Sequence, residues 1–136
     1  MIFELHVQTR AQRELQDITS QVQRVVSDCG VEGGTCHVCV PHTTAGLTLN
    51  ENWDPDVQGD LVRALEVLVP DIRYRHREGN SPAHVMSTLV GASETLLVQA
   101  GRLVLGSWQG LYLAEFDGPR QRRVLVKVVS DPTSGE

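Results

Sequence analysis

Apolar residues recur along this chain with two periods, and the switches between them mark its elements. Ile2 to Thr9 alternates apolar and polar side chains, the two-residue repeat of a half-buried strand. Val22, Val25, Val26 and Cys29 then follow the i, i+3, i+4, i+7 rule of a helix. Thr19 or Ser20 is positioned to cap it and Gly30 to stop it. Gly33-Gly34 marks a turn, and the period returns to two over Thr35 to His42. After the turn at Ala45-Gly46, Leu47 to Glu51 continues as a second strand, read as a hairpin partner or neighbour of the first.

Asp54-Pro55-Asp56 opens the next helix: a capping acid, a proline at the first helical position, and an acid at the positive end of the dipole. Val57, Leu61, Ala64, Leu65 and Leu68 form its apolar face, and Pro70 ends it. Asp71 to Ser81 is polar and basic, a loop by composition. Pro82 to Val90 predicts a short helix closed by Gly91. Strands are predicted over Glu94 to Gln99, from Leu103 or Gly110 to Asp117, and over Gln121 to Val129, with a frayed tail from Ser130. Strands, helix, strands, helices, strands is an α+β order dominated by antiparallel pairing. With 136 residues and no linker or repeat, residues 1–136 read as one domain. Aromatics make up only 4% of the chain, so such a sheet needs further apolar surface, supplied by another subunit.

Charge and composition narrow the classes of function. A net charge of −5 argues against broad nucleic-acid binding, which needs a basic face. No apolar run approaches the ~18 residues of a membrane span, and the N-terminus lacks the pattern of a signal peptide. Cytoplasmic location is the expectation. Cys36-His37-Val38-Cys39 has the spacing of a redox or zinc pair, but in a strand positions three apart face opposite ways, so packing cysteines are the better reading.

Polar residues cluster at the ends of the predicted elements. His42, His76 and His84 offer the three ligands of a catalytic zinc shell, yet separations of 34 and 8 residues match no compact zinc motif. Hydrogen-bonded or solvated histidines fit the spacing as well. Leu111, Leu113, Glu115 and Asp117 share one strand face, which passes from leucine to acid and so enters a cleft or solvent. Leu47, Leu49 and Glu51 make the same change. If the two strands meet, Glu51 falls near Glu115 or Asp117, a carboxylate pair suited to Mg²⁺ or proton transfer. Asp60 flanks a buried helix face. Arg120 and Arg122 follow the Gly118-Pro119 turn, where guanidinium groups suit phosphate oxygens. Asn50, Asn80 and Gln109 complete the set of ligand-holding candidates, and Trp108 reads as a plug for a core or interface.

Together, His42-Thr43-Thr44-Ala45-Gly46-Leu47-Thr48-Leu49-Asn50-Glu51, Asp60, Tyr74-x-His76, Asn80, Ala83-His84-Val85, Leu105-Gly106-Ser107-Trp108-Gln109 and Glu115-Phe116-Asp117-Gly118-Pro119-Arg120 resemble the YjbQ family, also called uncharacterised protein family 0047. One departure is Ser107, where the family more often has Thr. The resemblance implies a mainly antiparallel β-sandwich with two to three helices, assembling as a homotrimer. It implies a polar cleft with a divalent metal, Zn or Mg, near His42, His76 and His84. It further implies a secondary thiamine-phosphate synthase activity, joining hydroxymethylpyrimidine diphosphate to thiazole phosphate with release of pyrophosphate. On that reading a small phosphorylated metabolite is the partner. Arg120 and Arg122, with Asn50, Asn80 and Gln109, hold the substrate, and Glu51, Asp60, Glu115 and Asp117 handle metal or protons. Two alternatives use the same cleft: a metal-dependent hydrolase of a small phosphorylated or amide substrate, and a non-enzymatic trimeric metabolite-binding or regulatory protein.

Overall fold

The fold is taken from a computed structural model, which describes residues 1–70 and 72–133. Asp71, at the start of the expected loop, and 134–136 of the expected tail lie outside the described residues. Eleven elements follow in order: β1 (Phe3–Gln8), β2 (Glu14–Asp17), α1 (Thr19–Cys29), β3 (Gly34–Cys39), β4 (Ala45–Glu51), α2 (Pro55–Leu68), α3 (Ser81–Val90), β5 (Ser93–Gln99), β6 (Arg102–Leu103), β7 (Gln109–Glu115) and β8 (Gln121–Ser130). Two antiparallel sheets result, one ordered β1-β8-β3-β5-β6 and the other β2-β7-β4.

Each sheet presents an apolar face to the other. Val38, Val124 and Val126 from the larger sheet meet Leu47, Leu111 and Leu113 from the smaller, and Val22, Val25 and Val26 of α1 join the same core. The opposite face of β7 buries Ala114 and Phe116 against Val69, Ala83 and Met86, so the small sheet is sandwiched between the large one and α2 with α3. Leu111 to Phe116 is therefore buried on both faces, which explains its largely apolar run, broken only by Glu115.

Several elements follow their local signals. Asp54 caps α2, its side chain accepting from the Asp56 N–H at 2.9 Å, with Pro55 in the first turn. Gly30 closes α1 at φ 68°, the left-handed conformation that favours glycine. Cys36 is buried and Cys39 exposed, as alternation requires, and burial pushes the Cys36 thiol up to about 11. The N-cap of α1 is Ile18, one step before Thr19 and without a side-chain capping bond; Asp17, just ahead of it, accepts from the Thr19 N–H.

Other elements differ from expectation. β3 and β4 do not pair. The chain leaves the large sheet at Pro41 and enters the small one, so β3 lies between β5 and β8 while β4 pairs with β7. β2 was not foreseen, being only four residues long. The tail begins later than Ser130, since Ser130 still pairs with Gly34 and the Asp131 N–H reaches the Gly33 carbonyl. The apolar face of α2 is only half covered: Leu61 and Leu65 are partly buried, whereas Ala64 and Leu68 are exposed.

α3 lies tightly on the start of β4. Buried Ser87 donates to the Ala45 carbonyl at 2.7 Å, and the Leu47 N–H reaches the Gly91 carbonyl at 3.0 Å. A Cβ on Gly46 would fall 2.6 Å from the Gly91 carbonyl oxygen and 3.1 Å from a Val90 methyl. Gly46→Ala is therefore expected to destabilise the fold by about 1–3 kcal/mol, the range for overpacking, as a lower midpoint in urea unfolding.

Candidate functional site

Arg122 and Glu115 set the geometry of the site. Both are buried, with side chains 4% and 0% exposed. Arg122 grips the carboxylate with two nitrogens, Nε donating to Oε1 at 2.9 Å and Nη2 to Oε2. Thr9 Oγ1 also donates to Oε1, at 2.7 Å, and the Asp117 N–H donates to Oε2 at 3.0 Å. The same Nη2 reaches Thr44 Oγ1 at 2.8 Å. Burial pushes the Glu115 carboxyl up, but its bonds from Arg122, Asp117 and Thr9 together hold it below its ordinary value. The strand face that changes from leucine to acid thus does not open into solvent at Glu115; the acid stays inside because a cation comes with it. This pairing also places the Arg122 guanidinium in the wall of the site, already engaged.

On this base lies a cavity of about 350 Å³. His42, Thr43, Thr44, Asn80, His84, Asp117, Arg120 and Arg122 line it, with Pro41 and Glu78 at its edge. The Gly118-Pro119 peptide is cis, and Arg120 folds back on Asp117. Its Nε donates to the Asp117 carbonyl at 2.8 Å and its Nη2 to Oδ2 at 3.0 Å. Asn80 Nδ2 donates to the same Oδ2 at 2.9 Å. Burial raises the Asp117 carboxyl, and the Asn80 and Arg120 hydrogen bonds outweigh it to give a net lowering. Asn80 Oδ1 is a buried acceptor without a hydrogen-bond partner among the described residues.

His42 carries a defined tautomer. Its Nε2 accepts from the Arg123 backbone N–H at 2.9 Å, so in the neutral ring the proton sits on Nδ1. Burial, then the charges of Arg122 and Arg123, lower its pKa, with Glu115 opposing and Arg120 adding. His42 is thus a neutral ring with one N–H to give. His84 also lines the cavity, and exposed His76 packs edge-on against it at 5.4 Å. The three histidines do not form a metal shell within one chain. No group of three or more His, Cys, Asp or Glu side chains among the described residues is arranged to hold a metal ion. The physical reason is that the acceptor nitrogen of His42 is taken by the backbone and arginines surround its ring.

The remaining candidates lie elsewhere. Antiparallel register pairs Glu51 with Gln109 and Ala45 with Glu115, so Glu51 and Glu115 stand at opposite ends of β4 and β7. They do not form a carboxylate pair. Asn50 is exposed and accepts from the Glu51 N–H; Gln109 is exposed and closes a turn through the Gly106 N–H. Asp60 is exposed on α2 and pairs with Arg63. Trp108 is 54% exposed and meets Trp53 edge-on at 5.4 Å. Thr9 was not foreseen. It sits 106 residues from Glu115, at a strand end that carries no local sign of its role.

A two-sheet α+β molecule with a histidine–arginine cavity at one end of its small sheet defines the class of the protein. The chain belongs to the YjbQ family: the model of "UPF0047 protein YjbQ-like" matches residues 3–131. A UPF0047 protein of Methanocaldococcus jannaschii is 45% identical over 96% of both chains. The UPF0047 protein YugU of Bacillus subtilis is 44% identical over 95% of this chain and 99% of its own. Among solved structures, an uncharacterised YjbQ/UPF0047 protein of Clostridium acetobutylicum superposes with a TM-score of 0.91 at 44% identity, covering 93% of this chain and 99% of that one. A protein of unknown function from Sulfolobus solfataricus gives 0.90 at 32% identity over 96% and 97%.

The buried pair predicts a pH dependence. Glu115 has a folded pKa below its unfolded value, so its contribution is present above the unfolded carboxyl value of ~4.3 and is lost as pH falls through the lower folded one. Glu115→Gln is expected to cost about 3–5 kcal/mol at pH 7, as for other broken buried pairs. It should also flatten the acid limb of the stability curve, measured by urea unfolding from pH 7 to pH 3.

Proposed function

We propose that the cavity binds the phosphate or diphosphate group of a small metabolite and that the protein is a transferase similar to secondary thiamine-phosphate synthase. The observation that carries the reading is the set of donors around one small cavity. Arg120 is fixed by Asp117, and His42 is a neutral ring with its proton on Nδ1. Positioned donors of this kind act on charge that develops in a transition state. Departing pyrophosphate is such a charge. Arg122 supports the site through Glu115, and the phosphate contact falls to Arg120 and His42. Asn80 Oδ1, a buried acceptor without a partner among the described residues, would take a donor from the ligand. His84, whose ring nitrogens make no hydrogen bond among the described residues, is the group available for proton transfer. A divalent ion would enter with the diphosphate rather than on three histidines. Mg²⁺ bound that way needs one or two carboxylates, and Asp117 would supply one of them.

The proposal includes a homotrimer in the cytoplasm. No helix among the described residues is long and apolar enough to cross a membrane. Val67 and Leu68 on α2 are 83% and 70% exposed, an apolar surface suited to a subunit contact. Light scattering at micromolar concentration should give three times the chain mass of 15.0 kDa; a monomer mass would sink the assembly.

Arg120→Lys keeps the charge and loses the planar fork. It is expected to weaken pyrophosphate binding by ~1.5–3 kcal/mol, the range for hydrogen bonds to charged groups, while the fold and mass are kept. Titration calorimetry reads the affinity. Incubation with hydroxymethylpyrimidine diphosphate and thiazole phosphate then distinguishes coupling from hydrolysis and from binding without turnover.

A further inference from the structure

Most charges around the cavity are already matched. Arg122 lies on Glu115, and Arg120 on Asp117. Arg123, whose backbone holds His42, turns its side chain to Glu4. Arg73, Arg75 and Arg77 belong to the loop that carries His76, but none of them lines the cavity. His42 is a neutral ring. One charged group of the lining is left over besides His84, and it is an acid. Glu78 is exposed and has no ion pair or hydrogen bond of its side chain among the described residues. The lining and its base thus set three acids, Glu78, Asp117 and Glu115, against two arginines. A bare anion is a poor match for such a site.

The unused hydrogen-bonding groups divide by wall. On the sheet side they are donors: His42 keeps its Nδ1–H, and Arg120 keeps Nη1 while Nε and Nη2 hold Asp117. On the side of α3 and the loop before it they are acceptors. Asn80 Nδ2 faces the Asp117 carboxylate. An ionised carboxylate only accepts, so the amide cannot turn round, and its Oδ1 is left as an acceptor. Glu78 adds a carboxylate two residues before it. The volume of about 350 Å³ stands at the small end of ligand pockets, so one small molecule meets both walls.

We infer that the ligand of this cavity is a zwitterion: a phosphate ester that also carries an ammonium or other N–H cation, its phosphate on Arg120 and His42 and its cation on Glu78 and Asn80 Oδ1. This class rests on the phosphate reading of the cavity and narrows it. An ester without the cation leaves Glu78 facing an anion and Asn80 Oδ1 without a donor. Both effects disfavour it, the first by like charge and the second by an unmade buried hydrogen bond. The discrimination therefore comes from the acceptor wall, while the donor wall serves every phosphate alike.

Two esters of nearly one size separate charge from shape. O-phosphoethanolamine has an ammonium where n-propyl phosphate has a methyl group. At pH 8 both phosphates are dianions and the amine keeps its proton. Titration calorimetry is expected to give the amine at least tenfold the affinity of the propyl ester, the effect of hydrogen bonds to a charged group. Glu78→Gln keeps the size and removes the charge. It should cut that ratio to about threefold or less by weakening the amine alone, with circular dichroism unchanged because Glu78 is exposed. Pyrophosphate, which has no cation, tests the phosphate reading by itself. If propyl phosphate binds as tightly as phosphoethanolamine, or if Glu78→Gln weakens both alike, the zwitterion is overturned while the phosphate reading stands. If none of the three phosphates binds at millimolar concentration, both fall.

Discussion

Arg122 and Glu115 face each other where water does not reach, and the ends of four strands are fixed by how they are satisfied. Two charges in such a place are unfavourable unless each finds its partners. Here the guanidinium takes the carboxylate and Thr44, while the carboxylate takes Thr9 and the Asp117 N–H. Those bonds reach the end of β1, the end of β7, the start of β8 and the turn before β4. Thr9 in turn accepts from the Arg120 N–H at 2.7 Å, so the backbone that carries Arg120 is aimed by the same network. An apolar pair of equal volume would fill the space but would fix none of these groups.

How far the sequence revealed this depends on the range of the signal. Asp54-Pro55 and Gly30 act within a turn of themselves, and the helix ends they mark are where the sequence put them. Alternation in β1, β7 and β8 reports which side chains face apart, and that is a local property too. Pairing is not local. Nothing near Cys39 or Ala45 states that the chain crosses from one sheet to the other, and β3 beside β4 was the natural error. The same holds for Glu51 and Glu115. Each strand end was correctly read as polar, but antiparallel register turned two neighbouring acids into opposite ends of one sheet.

The site was legible in its residues and not in its roles. His42, Asn80, His84, Asp117 and Arg120 line one cavity, a grouping that the family resemblance implied and their spacing did not. Arg122 read as a phosphate ligand because its partner Glu115 lies on the preceding strand, beyond the turn. His42 is engaged in a way no spacing contains: one of its ring nitrogens is occupied by a backbone N–H of β8. Asp60 was placed beside a buried face that α2 leaves half open.

The cavity depends on residues from both ends of the chain, Thr9 near the start and Arg122 with the Arg123 N–H near the finish. A chain emerging from synthesis therefore has no such cavity until its last strand has been made and inserted between β1 and β3. Closing contacts separated by more than a hundred residues is a slow, late event in folding. A ligand seated there reports a finished molecule, and it raises the free energy of whole-chain unfolding by RT ln(1 + [L]/Kd) rather than protecting one loop. Slow-exchanging amides in β1 and β8 would rise together with ligand concentration, as one cooperative unit.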